Sequence, residues 1–128
     1  MRSLIYGYGD TGKSFERYLK DKKIDFDIFD SNIVEHNQNY NFKDFDQILC
    51  SPGIPKDIFE NIKSQNINTF TDVDIFFNED KSVKIGITGT NRKSTTAFHL
   101  HQLFNKYKPS NLVGNIGNTM LDYINNGI

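Results

Sequence analysis

Apolar and polar positions alternate along the first eighty residues with two periods. Residues 3–6 are a short apolar run and read as a first strand. Residues 13–22 carry Phe15, Tyr18 and Leu19 at helical spacing, and residues 24–29 alternate as a half-buried strand does. Residues 31–44 are polar and rich in Asn, so a loop with at most a short strand is expected. Residues 47–50 form a third apolar run. It ends at Ser51-Pro52-Gly53-Ile54-Pro55, because proline cannot continue a ladder and restricts the residue before it. Over residues 56–65, Ile58, Phe59 and Ile62 share one helical face. Residues 68–70 read as a fourth strand, and Asp72 as the cap of a short helix over 73–77. Strands alternating with helices predict an α/β fold with a parallel sheet.

Asn78-Glu79-Asp80-Lys81-Ser82 is a polar break that divides the chain into residues 1–79 and 80–128. Beyond it, residues 83–87 predict a buried strand. Residues 94–107 predict a helix that buries Ala97, Leu103, Phe104 and either Leu100 or Phe98. Residues 111–113 predict another strand and 119–124 the start of a further helix.

Two glycine turns carry the candidate chemistry. Gly7-Tyr8-Gly9-Asp10-Thr11-Gly12 lies between the first strand and the first helix, and Asp30 closes the second strand. This is the dinucleotide-fold fingerprint, with its acid near the expected spacing of about 20 residues. Gly7 serves the tight turn, Gly9 lets backbone approach a diphosphate, and Gly12 lets helix pack on strand. A strand-to-helix turn without a ligand would use the same glycines. Asp30 suits the ribose or base of a nucleotide, or a turn with Ser31 and Asn32. Ser51 and Gly53 lie past the carboxyl end of the third strand, where such folds bind ligands, although a rigid turn into a helix explains them too.

The second turn is Gly86-Ile87-Thr88-Gly89-Thr90-Asn91-Arg92-Lys93-Ser94-Thr95. Strand, tight turn and helix opening on Lys-Ser form the layout of a phosphate cradle. Backbone N–H groups, the helix dipole and the lysine charge meet the anion, and the serine hydroxyl reaches its magnesium ion. Ile87 and Arg92 stand where the general pattern has glycine. The alternative is an ordinary turn with Thr88 or Thr90 near the helix cap.

Composition narrows the field. Apolar residues make up 37% of the 128 residues, enough for a core. A formal charge of −1 argues against nucleic acid as a partner. A lone cysteine, Cys50, excludes an internal disulfide framework and fits a reducing compartment. With no apolar run of membrane-spanning length and no signal-peptide pattern, a soluble cytoplasmic protein without membrane insertion is expected. His99 and His101 are two apart on one helix and cannot clasp one metal. His36 reads as a surface loop residue, and Cys50 as an inert small hydrophobe.

Four motifs stand in one order: the Gly7–Gly12 turn, Cys50-Ser51-Pro52-Gly53-Ile54, the Gly86–Thr95 turn, and Gly114-Asn115-Ile116-Gly117. Together they resemble the Mur ligase family, and Asn91 favours its D-glutamate-adding branch over the alanine-adding one. The resemblance implies a Rossmann-like parallel-sheet domain over residues 1–79 for the UDP substrate, followed by the truncated start of a P-loop-type ATP-binding central domain over 80–128. It implies UDP-N-acetylmuramoyl-L-alanine, ATP and D-glutamate as substrates, magnesium as the metal, and an acyl-phosphate intermediate. By the same resemblance, Gly9, Asp10 and Thr11 lie against the uridine diphosphate, and Asp30 and Ser31 by the uracil. Ser51 and Gly53 face the diphosphate-sugar region, and Asn115 touches the diphosphate or sugar. Gly89, Thr90, Asn91, Arg92, Lys93, Ser94 and Thr95 hold ATP phosphates, with Ser94 on Mg2+.

The family's later magnesium ligands, its carbamylated lysine and its amino-acid domain would lie beyond Ile128, so these 128 residues are expected not to ligate alone. Residues 80–128 are expected to be less stable than 1–79, and their open sheet edge to allow pairing with another copy. Arg92 replaces the family's glycine. A positive φ there would strain the turn by about 1–2 kcal/mol. Two other readings stay open: a regulatory module binding NAD or another dinucleotide, and a non-catalytic interaction module.

Overall fold

In the first strand of the computed structural model, β1 (Arg2–Tyr6), successive side chains alternate between two covered faces, and Ser3, Leu4 and Ile5 are all buried. The structure describes residues 1–89, 91–114 and 119–124. Helix α1 (Asp10–Asp21) carries the chain to β2 (Asp25–Phe29). Two 3-10 turns, Val34–His36 and Phe42–Asp44, then lead to β3 (Gln47–Cys50). Helix α2 (Lys56–Gln65), β4 (Thr69–Phe70) and α3 (Asp72–Glu79) follow. The sheet is parallel throughout, in the order β2-β1-β3-β4.

Helices cover both faces. Ile5 and Leu49 pack with Phe15 and Leu19 of α1 and Ile75 of α3; Leu4, Ile48 and Cys50 pack on the other face with Ile62 of α2 and with Phe45, which follows the second 3-10 turn. Each fully buried Leu, Ile or Phe contributes roughly 1.5–3 kcal/mol. Burial pushes the Cys50 thiol up to about 12, which fits the inert hydrophobe expected there. The sheet and its helices match the α/β expectation closely. One detail differs: α3 is capped by Thr71, not Asp72. The Thr71 hydroxyl accepts from the Asp74 N–H, and the Asp74 carboxylate accepts from the Thr71 N–H at 2.9 Å. Asp72 is instead buried inside the first turn, and burial raises its pKa.

The later segment departs further from expectation. Residues 83–87 form no strand, and Val83 is 94% exposed. A strand persists only when a neighbour satisfies its N–H and C=O groups, and among the described residues none pairs with this run. Residues 111–113 likewise form no strand beyond an isolated bridge at Val113. Helix α4 (Lys93–Phe104) exists but stops before residue 107. It buries no residue: Phe98, Leu103 and Phe104 are exposed, and Ala97 and Leu100 only half-covered. The expected α-helix from residue 119 is a 3-10 turn, Met120–Tyr123.

That 3-10 turn returns to the first sheet. Leu121 is 7% exposed and joins Ile5, Phe15 and Ile75 in the core, while Arg17 donates to both carboxylate oxygens of Asp122 at 2.9 and 2.7 Å. The Arg17 hydrogen bond holds the Asp122 carboxyl below the usual carboxylate range. A depressed carboxylate pKa stabilises above the unfolded value and ceases to do so as pH falls through the folded one. Both side chains are partly exposed, so the effect is below about 1 kcal/mol. The predicted outcome is that amides of residues 121–123 lose exchange protection below about pH 4 while those of β1 and β3 keep theirs.

Candidate functional site

The strand order reverses beside β1, so the loops leaving β1 and β3 diverge around a crevice, the place where open parallel sheets take ligands. The first loop is the Gly7–Gly12 turn. Gly7 adopts φ +94°, its N–H donates to the Phe29 carbonyl at 2.8 Å, and its carbonyl accepts from Ser51 Oγ at 3.0 Å. A Cβ on Gly12 would lie 2.1 Å from the Gly7 oxygen, so only glycine lets α1 start this close to β1. A Cβ on Gly9 would meet nothing within 4 Å. Gly9 is the N-cap of α1 without a side-chain cap, so no capping side chain competes with an anion for the first turn's N–H groups. Asp10 and Thr11 fill that first turn, where Asp10 can offer an anion its N–H but not its exposed carboxylate.

Asp30 closes the crevice on the β2 side. Its carboxylate accepts from the N–H of Tyr8 and of Asn32, both at 2.8 Å. It therefore clasps the glycine turn and builds the turn after β2 at once; neighbouring Ser31 is exposed. On the β3 side, Ser51 is half-buried and bonded to Gly7, while Gly53 is exposed with open space at its Cβ position. The structure thus brings Gly9, Asp10, Thr11, Asp30 and Ser51 to one edge of the sheet, with Ser31 and Gly53 in the flanking loops. Asn115 lies outside the described residues.

Sequence reasoning missed two features here. Tyr8 and His36 form a ring pair with centroids 5.3 Å apart, so His36 is half-buried against the glycine turn rather than a free surface residue. In addition, Gly7 to Ser14 fits the general P-loop spacing of two glycines followed by Lys-Ser. The geometry differs from the layout of a helix opening on Lys-Ser, because α1 already opens at Asp10. Gly12 and Lys13 are already helical, and Ser14 is buried with its Oγ donating to the Thr11 carbonyl at 2.6 Å. The hydroxyl is turned into the helix.

The second turn is open. Gly89 has φ +151° and Arg92 φ +58°, and Arg92 is the N-cap of α4 with no side-chain cap bond, so Thr88 does not cap it. Asn91, Arg92, Lys93, Ser94 and Thr95 are all exposed at the start of α4; Thr90 lies outside the described residues. Among the described residues no group of three or more His, Cys, Asp or Glu could hold a metal ion, so Ser94 stands without such a cluster beside it. No described helix is long and apolar enough to cross a membrane.

No family model matches the chain. It is similar to the UDP-N-acetylmuramoylalanine–D-glutamate ligase of Rickettsia prowazekii (strain Madrid E), 34% identical over 88% of this chain and 29% of that protein. It is also similar to the ligase of the same name from Francisella tularensis subsp. tularensis (strain WY96-3418), 38% identical over 94% of this chain and 30% of that protein. The chain thus spans about three-tenths of the length of the curated relatives it matches.

Proposed function

Because the chain is homologous to part of the UDP-N-acetylmuramoylalanine–D-glutamate ligases, we propose that residues 1–79 are a UDP-substrate-binding domain and residues 80–128 the beginning of an ATP-binding one. The observation that carries the reading is the junction of the glycine turn with the Ser51 loop and Asp30 at the point of strand reversal. The diphosphate of UDP-N-acetylmuramoyl-L-alanine would lie on the N–H groups of Gly9, Asp10 and Thr11. The uridine would lie over Asp30 and Ser31. Ser51, Gly53 and Asn115 would face the sugar side.

The complete enzyme would work in the cytoplasm on peptidoglycan precursors, transferring a phosphoryl group from ATP to the substrate carboxylate. The amine of D-glutamate would then displace phosphate from that acyl phosphate, forming the amide. In this reading Gly89 to Thr95 hold ATP phosphates, with Lys93 near the terminal ones. When bound, Mg2+ would screen the approach of two anions, with Ser94 as one of its ligands.

Arg92 sits in the left-handed region where a side chain costs about 1–2 kcal/mol. Restoring glycine relaxes the turn and removes a bulky side chain from the cradle. The expected result of Arg92→Gly, placed in a full-length ligase, is ATP affinity about five-fold higher, read by equilibrium titration. Unchanged or weaker ATP binding would count against it.

The dinucleotide-module alternative rests on Asp30 at the end of β2, which suits a ribose. Parallel calorimetric titrations of the chain with UDP-N-acetylmuramoyl-L-alanine and with NAD separate the two. The ligase reading expects binding of the first only.

A further inference from the structure

The polar run that divides the two segments is folded rather than extended. Asp80 is 4% exposed, and its carboxylate accepts from the Ser82 N–H at 3.0 Å and from the Ser82 hydroxyl. Lys84 bends back over it. Its ammonium lies 3.1 Å from Asp80 Oδ2 and donates to the Asp80 and Ser82 carbonyls at 2.8 and 2.9 Å. A lysine ammonium has three N–H donors, and these three oxygens match them. The same ammonium stands 5.4 Å from the ring centroid of Phe76 and 5.6 Å from that of Phe77, both on α3. This end of α3 is tied to α1, because Glu79 accepts from the Tyr18 hydroxyl and pairs with Lys22 at 3.3 Å. The second segment touches the same two helices again further on. Leu121 shares a core cluster with Phe15 of α1 and Ile75 of α3, and Arg17 of α1 holds the Asp122 carboxylate.

We propose that the Asp80–Lys84 knot is a rigid joint which, with the Met120–Tyr123 turn as a second pin, seats the second segment on the α1 and α3 face of the first domain. The chain that carries α4 and Lys93 leaves this face at Lys84 and returns to it at Leu121. A flexible linker would let the two glycine turns drift independently, whereas a chain held at both ends keeps them in register. The joint therefore sets the separation between the Gly7–Gly12 turn and the Lys93–Ser94 turn. The inference rests on the ligase reading only for what those turns bind. The joint itself follows from the Lys84 and Asp80 contacts. Lys84→Met keeps the stem that packs on Phe76 and Phe77 but takes the cation from a buried carboxylate, which then favours an open linker that lets Asp80 reach water.

The test measures spin-label distances by pulsed electron paramagnetic resonance in the 128-residue chain without nucleotide. Labels go on exposed positions as Asn61→Cys on α2 with either Ile85→Cys, just past the joint, or Thr96→Cys on α4; buried Cys50 stays unlabelled. Both pairs are expected to give one narrow distance. Lys84→Met loses the narrow Asn61–Ile85 distance, while the thermal midpoint stays within about 4 °C of wild type, since the sheet and its helices are untouched. Arg17→Ala releases the other pin, so it keeps the narrow Asn61–Ile85 distance and broadens Asn61–Thr96. A broad distribution for either pair without further substitution overturns the joint, and that reading needs no variant to fold. A narrow Asn61–Ile85 distance that survives Lys84→Met overturns it too. Because no nucleotide is present, either outcome leaves the UDP and ATP titrations to decide the ligase reading separately.

Discussion

Gly12→Ala is expected to lower the thermal midpoint of the chain by about 15 °C and to abolish binding of a UDP-linked substrate. The added Cβ would lie 2.1 Å from the Gly7 oxygen and 2.9 Å from its carbonyl carbon, so backbone meets it on the β1 side. No flexible side chain can swing aside. Gly7 is itself held, by its N–H bond to the Phe29 carbonyl and by Ser51 Oγ on its own oxygen, and so cannot retreat without breaking the joint between three strands. Overpacking costs about 1–3 kcal/mol and occasionally more; a clash between two fixed backbones belongs at the upper end, near 3 kcal/mol. For a domain of this size each 1 kcal/mol moves the midpoint by about 4–8 °C. Gly9→Ala is the control. Its Cβ meets nothing within 4 Å, so the midpoint should move by less than about 2 °C while a ligand diphosphate loses its close approach. Circular dichroism melts and titration of both variants check this. A Gly12→Ala chain that melts like wild type would contradict the packing.

Asp30→Ala is expected to cost about 2–3 kcal/mol of stability and to weaken nucleotide binding more than any change confined to Ser31. The carboxylate takes two backbone N–H bonds, from Tyr8 and Asn32. Charge-assisted bonds contribute about 1.5–3 kcal/mol each when buried and less in a partly exposed site such as this one. Asp30→Asn keeps the shape and one acceptor oxygen but turns an N–H toward the second donor, so about half of the loss is expected. Urea denaturation of the two variants gives the stability terms, and UDP titration the binding ones. Full stability in Asp30→Ala would show that the clasp contributes nothing.

The first eighty residues were legible because local signals and tertiary packing agree there. The bounds of the third strand and α2 match the expected ones residue for residue, but of the apolar face expected on α2 only Ile62 is buried, Phe59 is half-buried and Ile58 is exposed; the spacing of Gly7, Gly9 and Gly12 maps onto a turn in which each glycine has a distinct environment. Asp72 was misread because Thr71 and Asp74 bond each other in a capping box, and Asp72 had the same local credentials as a cap. Residues 83–87 were misread for a different reason. Their apolar run has the composition of a buried strand, but strand formation depends on a neighbour, which periodicity along one segment does not reveal. The half-buried environment of His36 comes from a ring on another element, a contact that no spacing rule reports.

The most direct test of the central claim is a map of backbone amide shifts on adding UDP-N-acetylmuramoyl-L-alanine to the isotope-labelled chain. The account predicts the largest changes at Gly9, Asp10, Thr11 and Gly53, with smaller ones at Asp30 and Ser31. The open cavity against α3 lined by Val73, Asp74, Phe77 and Asn78 should stay silent. Changes centred on that cavity, or none at the glycine turn at saturating substrate, would contradict it.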